Sequence, residues 1–427
     1  MTHNIFRTSM IAIATIGLMC SCKATGAQND ASVADGAWHG AIEAGGQRIA
    51  TVIHIDAAAK RITLDVPQQG AKDILCETDW LSGDSIAFSH KAMDMKYHGR
   101  IKADRDAIEG IFEQHGLKFV LDFERGEYVA EPEHISPQEP QPPFSYTTRE
   151  VSFSNPSANA VLKGTLTYPD GFKTGTKVPV VLMITGGGNL HRGNTKPLRV
   201  IADHLAHNGI ASLHYDKRGN GESTGDFAAA TIADLAADAE EAVKYLKSLG
   251  DFSEIGVLGH SEGGSIAYML GSRGLADFLV TMAGPATRMD EILSYQINAM
   301  MQASGVSSNP AISVTEARLM VLQQENTPYN RNIIDLDLAV YVRQITCPVF
   351  ALVCDKDLNV DPKATLESLN KNLQENPKNQ IKVYENLNHI FQHCNPDNPN
   401  ETTDKDELIA PDVPIDIAQW IHSCIGK

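Results

Sequence analysis

Two patterns of apolar and polar positions divide this chain. From residue 36 to 130 apolar residues alternate with polar ones in short runs, as in Ala50-Thr51-Val52-Ile53-His54-Ile55, Arg61-Ile62-Thr63-Leu64-Asp65-Val66, Ser85-Ile86-Ala87-Phe88 and Lys118-Phe119-Val120-Leu121-Asp122-Phe123. Alternation puts successive side chains on opposite faces, so each run predicts a half-buried strand. Turn-forming residues separate the runs, and their even spacing predicts an antiparallel sheet or small barrel. Trp38-His39-Gly40 and Tyr97-His98-Gly99 read as strand openings. Residues 131–146, with five prolines between Glu131 and Pro143, read as a semi-rigid spacer.

From 147 to 427 the apolar runs become continuous, as in Val178–Ile184, Ile255–Leu258, Phe278–Ala283 and Cys347–Cys354, with helix-capable stretches between them, and Gln380–Tyr384 reads as a further strand. Continuous runs suit strands covered on both faces, and strand–helix alternation predicts a mainly parallel sheet. Thr231–Leu249 reads as an amphipathic helix with Asp234 and Asp238 near its start. Residues 286–344 interrupt the alternation with two helix-capable runs, Met289–Ala303 and Val314–Gln324. Loops at the carboxyl ends of such strands surround the ligand site, so this insertion is read as a cap. A helical pair packed on the sheet edge is the alternative.

Candidate chemistry enters at Gly259-His260-Ser261-Glu262-Gly263. A strand run leads into this Gly-x-Ser-x-Gly turn and a helix-capable run follows, the context of a nucleophile elbow. Gly259 and Gly263 leave room for a sharp turn that lifts the Ser261 hydroxyl above the sheet. Such a serine needs a base and a group that orients the base, in the chain order Ser, acid, His. Asp355 and Asp357 both follow the strand run ending at Cys354. Asp357 lies further into the loop and is preferred as the acid, whereas Asp355 is placed to cap or to form a salt bridge. His389 follows the Gln380–Tyr384 run and is the candidate base. His260 adjoins the serine but is expected to point into the fold, and His393 reads as a surface or rim residue. An oxyanion would need two donors. One is the N–H of Glu262, and the other comes from the loop Thr185-Gly186-Gly187-Gly188-Asn189.

On these residues, the segment from about 147 to 427 resembles an α/β-hydrolase. The elbow Gly-His-Ser-Glu-Gly-Gly and the run Tyr215-Asp216-Lys217-Arg218-Gly219-Asn220-Gly221-Glu222-Ser223 carry the resemblance. The branch it resembles holds serine aminopeptidase-like hydrolases and bacterial esterases of the EstD type, which have an extra β-rich domain before the hydrolase core. The resemblance implies acyl transfer to water by a serine. No cofactor is implied, and the metal-like spacing of His389, His393 and Cys394 is not read as a zinc site because His389 already serves as the base. It does not specify the acyl group. Thr185-Gly186-Gly187-Gly188 departs from the family's usual oxyanion loop, and Gly187 is preferred to Gly186 as donor. Cys354 stands where a glycine commonly precedes the acid by three residues.

Composition narrows the partners. With 53 acidic and 36 basic residues the net charge is −17, which argues against nucleic acid. A small-molecule ester is the expected partner. The N-terminal segment has His3 and Arg7 before a short apolar core, Met10–Met19, then Cys20-Ser21-Cys22. This reads as an export signal over residues 1–22 with lipidation at Cys22 and a polar tether over 23–35. Cleavage near Ala27 without lipid is the alternative. Export would place the mature protein in the periplasm, on the outer membrane, or outside the cell. The five later cysteines read as small buried residues, with a Cys394–Cys424 bridge as the alternative. The β-rich domain is read either as a structural or dimer-forming appendage or as a module that narrows the mouth of the site. Three function classes remain: a carboxylic-ester hydrolase for small or medium acyl groups, a serine peptidase or amidase, and a non-catalytic binding protein.

Overall fold

The computed structural model describes residues 34–44, 47–67, 71–103, 106–114, 117–129, 135–188, 190–303, 310–324 and 326–426. The export signal, Cys22 and most of the tether lie outside them. Two compact units divide between His134 and Ile135.

The first unit is an antiparallel β-meander: β1 (Gly36–Ala44), β2 (Gln47–Asp56), β3 (Arg61–Val66), β4 (Ala71–Ser82), β5 (Ser85–His90), β6 (Met95–Ile101), β7 (Ala107–Gln114), β8 (Leu117–Val120) and β9 (Phe123–Arg125). Neighbours pair in sequence from β1 to β7. β9 pairs with both β7 and β1, so the sheet closes into a barrel. The single strand expected over Lys118–Phe123 is broken at Leu121-Asp122. There the Asp122 carboxylate accepts the Gly110 N–H, and the Tyr97 hydroxyl donates to the Leu121 carbonyl. Inward-facing Trp38, Ile53, Ile62, Leu64, Phe88, Tyr97 and Phe123 fill the interior, all nearly inaccessible to water. The barrel is therefore packed rather than hollow.

Two expectations change here. Trp38-His39-Gly40 and Tyr97-His98-Gly99 lie inside β1 and β6 rather than opening them. Their glycines answer close packing: a Cβ on Gly40 would stand 2.1 Å from the Asp122 carbonyl oxygen, and one on Gly99 would stand 2.6 Å from the Tyr97 hydroxyl. The last two residues assigned to the tether also join the barrel. The Trp38 indole donates to the Ala34 carbonyl, and the Asp35 carboxylate accepts the Ala57 N–H.

The second unit begins with the proline-rich stretch. Gln138 donates to the Ile409 carbonyl and accepts the Leu408 and Ile409 N–H groups. Glu139 forms ion pairs with Lys196 and Arg199. From Ile135 onward the stretch expected as a spacer is thus held to the second unit by side-chain hydrogen bonds.

Its sheet contains β10 (Thr147–Asn155), β11 (Ala160–Tyr168), β12 (Val178–Ile184), β13 (Ala211–Tyr215), β14 (Phe252–His260), β15 (Phe278–Met282), β16 (Val349–Cys354) and β17 (Gln380–Tyr384). Their order is β10-β11-β13-β12-β14-β15-β16-β17. The β10–β11 and β11–β13 pairs are antiparallel, and every later pair is parallel. Helices cover both faces. Along β12, Val180, Leu182 and Ile184 face a core built with α2 (Ile232–Leu249) and α3 (Glu262–Ser272). Val181 and Met183 face a second core built with α1 (Lys196–His207) and α9 (Asp412–Ile425). This two-sided burial explains the continuous apolar runs. At the start of α2 the Thr231 hydroxyl accepts the Asp234 N–H while the Asp234 carboxylate accepts the Thr231 N–H, a reciprocal cap that satisfies two helix-end donors.

The insertion folds as α4 (Met289–Ala303), α5 (Val314–Gln324), α6 (Pro328–Ile333) and α7 (Leu338–Val342). After β16 come α8 (Pro362–Asn372), β17, and a small hairpin of β18 (Cys394–Asn395) and β19 (Asn398–Thr402). All five described cysteines are free, so no Cys394–Cys424 bridge forms.

Candidate active site

The elbow sits where β14 ends and α3 begins. Ser261 has φ 53° and ψ −117°, a strained conformation for a residue with a Cβ, and its N–H donates to the Met282 carbonyl at 2.8 Å. The flanking glycines make this turn sterically possible. A Cβ on Gly259 would lie 2.0 Å from the Gly263 oxygen, and one on Gly263 would lie 2.3 Å from the Ile184 oxygen. Gly264, absent from the sequence-based site, is equally constrained, since its Cβ would meet the Gly284 Cα at 2.6 Å.

Parallel pairing of β14, β15, β16 and β17 brings their following loops to one edge. There His389 Nδ1 lies 2.8 Å from Asp357 Oδ2. Asp357 is 2% exposed, and its other oxygen accepts the N–H groups of Asn359 and Val360 at 2.7 and 2.8 Å. These bonds leave the carboxylate little freedom to turn away from the imidazole. Asp355 points elsewhere, accepting the Asn386 N–H and pairing with Lys356. The His393 ring is bound to Glu407. His260 Nε2 lies 2.9 Å from the His389 carbonyl oxygen, and the two rings stand 4.9 Å apart. Burial, reinforced by the neighbouring His389, pushes the His260 pKa down to about 4. Among the described residues the Ser261 hydroxyl makes no hydrogen bond.

The β12–α1 loop adjoins the elbow. A Cβ on Gly186 would lie 3.4 Å from the Ser261 Cβ, and one on Gly187 would lie 3.8 Å from Glu262 Oε2. The N–H groups of Gly186, Gly187 and Glu262 have no acceptor among the described residues.

Sequence reasoning missed the charged layer under this loop. Lys217 Nζ lies 2.6 Å from Glu262 Oε1, with both side chains almost fully buried. The same ammonium donates to the Gly186 carbonyl, and the Tyr329 hydroxyl of α6 donates to the second Glu262 oxygen. The β13–α2 loop carrying Lys217 is itself anchored. Asp216 accepts the Arg192 and Glu222 N–H groups, while Arg218 grips Asp238 through two nitrogens. Asp238, read only as a residue near a helix start, is thus the buried partner of Arg218. The signals available were the resemblance of the Tyr215–Ser223 run to the family's loop and the density of charges in Asp216-Lys217-Arg218, next to an apolar strand.

Two helices of the insertion reach the site. The Tyr295 hydroxyl of α4 donates to the Asp357 carbonyl at 2.8 Å, and Tyr329 reaches Glu262. The insertion therefore lies over the candidate site as a cap.

A mainly parallel eight-stranded sheet in this order, carrying a strained serine elbow and a loop-borne Asp–His pair, is the arrangement of the α/β-hydrolase fold, which this chain adopts. Residues 177–330 match the family described as Serine aminopeptidase, S33. Among characterised proteins the chain is similar to Esterase EstD of Thermotoga maritima, 26% identical over 315 residues that cover 69% of this chain and 72% of that protein. Solved structures similar to it include the esterase Pf2001 of Pyrococcus furiosus, 17% identical, covering 66% of this chain and 94% of that one with a TM-score of 0.45. Another is Est1E of Butyrivibrio proteoclasticus with ferulic acid bound, 18% identical, covering 65% and 100% with a TM-score of 0.44.

Proposed function

We propose that this chain hydrolyses carboxylic esters of small or medium acyl groups through a serine acyl-enzyme. The Asp357–His389 contact of 2.8 Å, made by a carboxylate sealed from water on the loops beside Ser261, carries the reading. A serine hydroxyl is a weak nucleophile at neutral pH and needs a base as it attacks. His389 takes the Ser261 proton as the hydroxyl oxygen bonds to the ester carbonyl carbon. Asp357 accepts from Nδ1, which leaves Nε2 as the basic nitrogen, and it stabilises the imidazolium that forms. The N–H groups of Gly187 and Glu262 receive the developing oxyanion. The imidazolium then protonates the departing alkoxide. Water, activated by the same imidazole, releases the acid and restores Ser261.

The alternative class, an aminopeptidase, would hold a substrate ammonium with a free carboxylate in the cap. Glu316 instead accepts the Ser313 N–H and hydroxyl at the start of α5, and Asp290 is neutralised by Arg288 and Arg318. Of the other two glutamates of the insertion that could take that role, Glu291 is exposed on α4 and Glu325 lies outside the described residues. Similarity to Esterase EstD supports the ester reading. Purified protein assayed on p-nitrophenyl esters of rising acyl length, beside aminoacyl anilides, tests it. Turnover of short and medium esters is expected, and faster turnover of anilides would reverse the assignment.

We also propose export with a lipid on Cys22, motivated by the apolar core that ends at Ser21-Cys22. Cys22→Ser is expected to move the protein from membrane to soluble fractions. An unmodified mature N-terminus near Gln28 would overturn this.

A further inference from the structure

We infer that Lys217 is a positioning residue for the oxyanion hole: its ammonium turns the Gly186–Gly187 peptide so that the Gly187 N–H faces the reacting centre. The inference rests on the reading of Ser261, His389 and Asp357 as hydrolytic machinery. A trans peptide points its carbonyl and its N–H in opposite directions. The Gly186 carbonyl is held inward by Lys217 Nζ, so the Gly187 N–H of the same peptide faces the other way. That N–H lacks an acceptor among the described residues, as does the N–H of Glu262, the second donor. The N–H of Gly186 is also unbonded, so free donors alone do not choose between the glycines, whereas the direction of the pinned carbonyl selects Gly187.

A glycine loop needs such a pin. Three consecutive glycines leave the backbone free to turn its peptides, and a donor that points at the oxyanion only some of the time contributes little to the transition state. Lys217 supplies a fixed, charged donor. It is 3% exposed, and burying an ammonium is costly without a counter-charge. Glu262 provides that counter-charge at 2.6 Å, and Tyr329 binds the other carboxylate oxygen. One residue therefore serves twice: the Glu262 backbone offers an oxyanion donor, and its side chain holds the lysine that orients the other donor.

Strand order makes the arrangement possible. β13 and β14 lie on either side of β12, so the loops after all three meet at one edge.

The test compares two variants of the full chain on p-nitrophenyl acetate. Glu262→Gln keeps the Lys217 nitrogen beside the Gly186 carbonyl and lowers kcat modestly through the lost counter-charge. Lys217→Met/Glu262→Gln removes both charges together with the donor to Gly186. The double variant should melt as cooperatively as Glu262→Gln, with KM within about threefold of it, yet show kcat lower by about 10²-fold, the size of an oxyanion-donor loss. A merely structural role predicts that kcat follows melting temperature across the two proteins. Equal kcat values, or a double variant that does not fold, overturn the proposal. The two readings fail separately: an active Ser261→Ala protein refutes the hydrolytic site, whereas an inactive one beside equal kcat values refutes only the role of Lys217.

Discussion

The ring of His260 holds the main chain of His389: its Nε2 stands 2.9 Å from the His389 carbonyl oxygen. With its pKa pushed down to about 4, His260 is neutral at pH 7, so the proton on Nε2 makes it the donor. The residue before the candidate nucleophile thereby ties the elbow to the loop that carries the candidate base. His260→Leu should lower kcat on the order of tenfold, because small displacements of a catalytic group are costly to rate. Steady-state kinetics on a short ester check this, and unchanged kcat would detach His260 from the positioning of His389.

A histidine held neutral in the fold has a consequence for acid stability. His214 is also driven down to about 4, chiefly by burial. Unfolded histidine titrates near 6.5. Between these values the unfolded chain binds protons that the folded one refuses, so stability falls as pH drops from about 6.5 to 4. Urea midpoints measured across that range should decline with acidification. His214→Gln should make the decline shallower, and an unaltered slope would show that His214 plays no role in it.

Ser261→Ala should abolish ester hydrolysis and leave the fold intact, since losing a triad nucleophile costs several orders of magnitude. Asp357→Asn should lower turnover on the order of 10^4-fold by favouring the wrong imidazole tautomer. Asp355→Asn should cost far less, because its carboxylate is engaged with Asn386 and Lys356. A larger loss in the Asp355 variant would reverse the two roles.

A chain beginning at Ile135 should fold and retain turnover on a short activated ester, because every candidate catalytic residue follows that point. One beginning at Phe144 lacks Gln138 and Glu139, whose contacts with Ile409, Lys196 and Arg199 tie residues 135–143 to the second unit. Its melting temperature should be lower by several degrees, as the loss of a few hydrogen bonds implies. Identical melting curves would show that residues 135–143 contribute nothing to that unit.

Local pattern explains which features were legible in the sequence. The elbow, the α2 helix and the insertion helices Met289–Ala303 and Val314–Gln324 depend on neighbours a few residues apart, so periodicity and spacing disclose them. Asp357 and Asp355 separated because one lies further along a loop. The Lys217–Glu262 pair joins residues 45 apart, and Gln138 reaches Ile409 across 271. No local pattern encodes such contacts, since a lysine or glutamine reads as surface until the fold buries it. The break at Leu121-Asp122 was hidden for the same reason, as its cause is Gly110 on the facing strand.

The pairing of β9 with β1 and of β6 with β7 has a consequence for how the protein meets other chains. An open β-meander offers its outermost strands to any passing polypeptide as templates for further pairing, the usual route to fibrils and tangled oligomers. Once these two seams join, the backbone groups along them are occupied within one molecule. The outer edge of β8, which pairs with β7 alone, is left as a four-residue stretch where a further strand could add, too short to template much pairing.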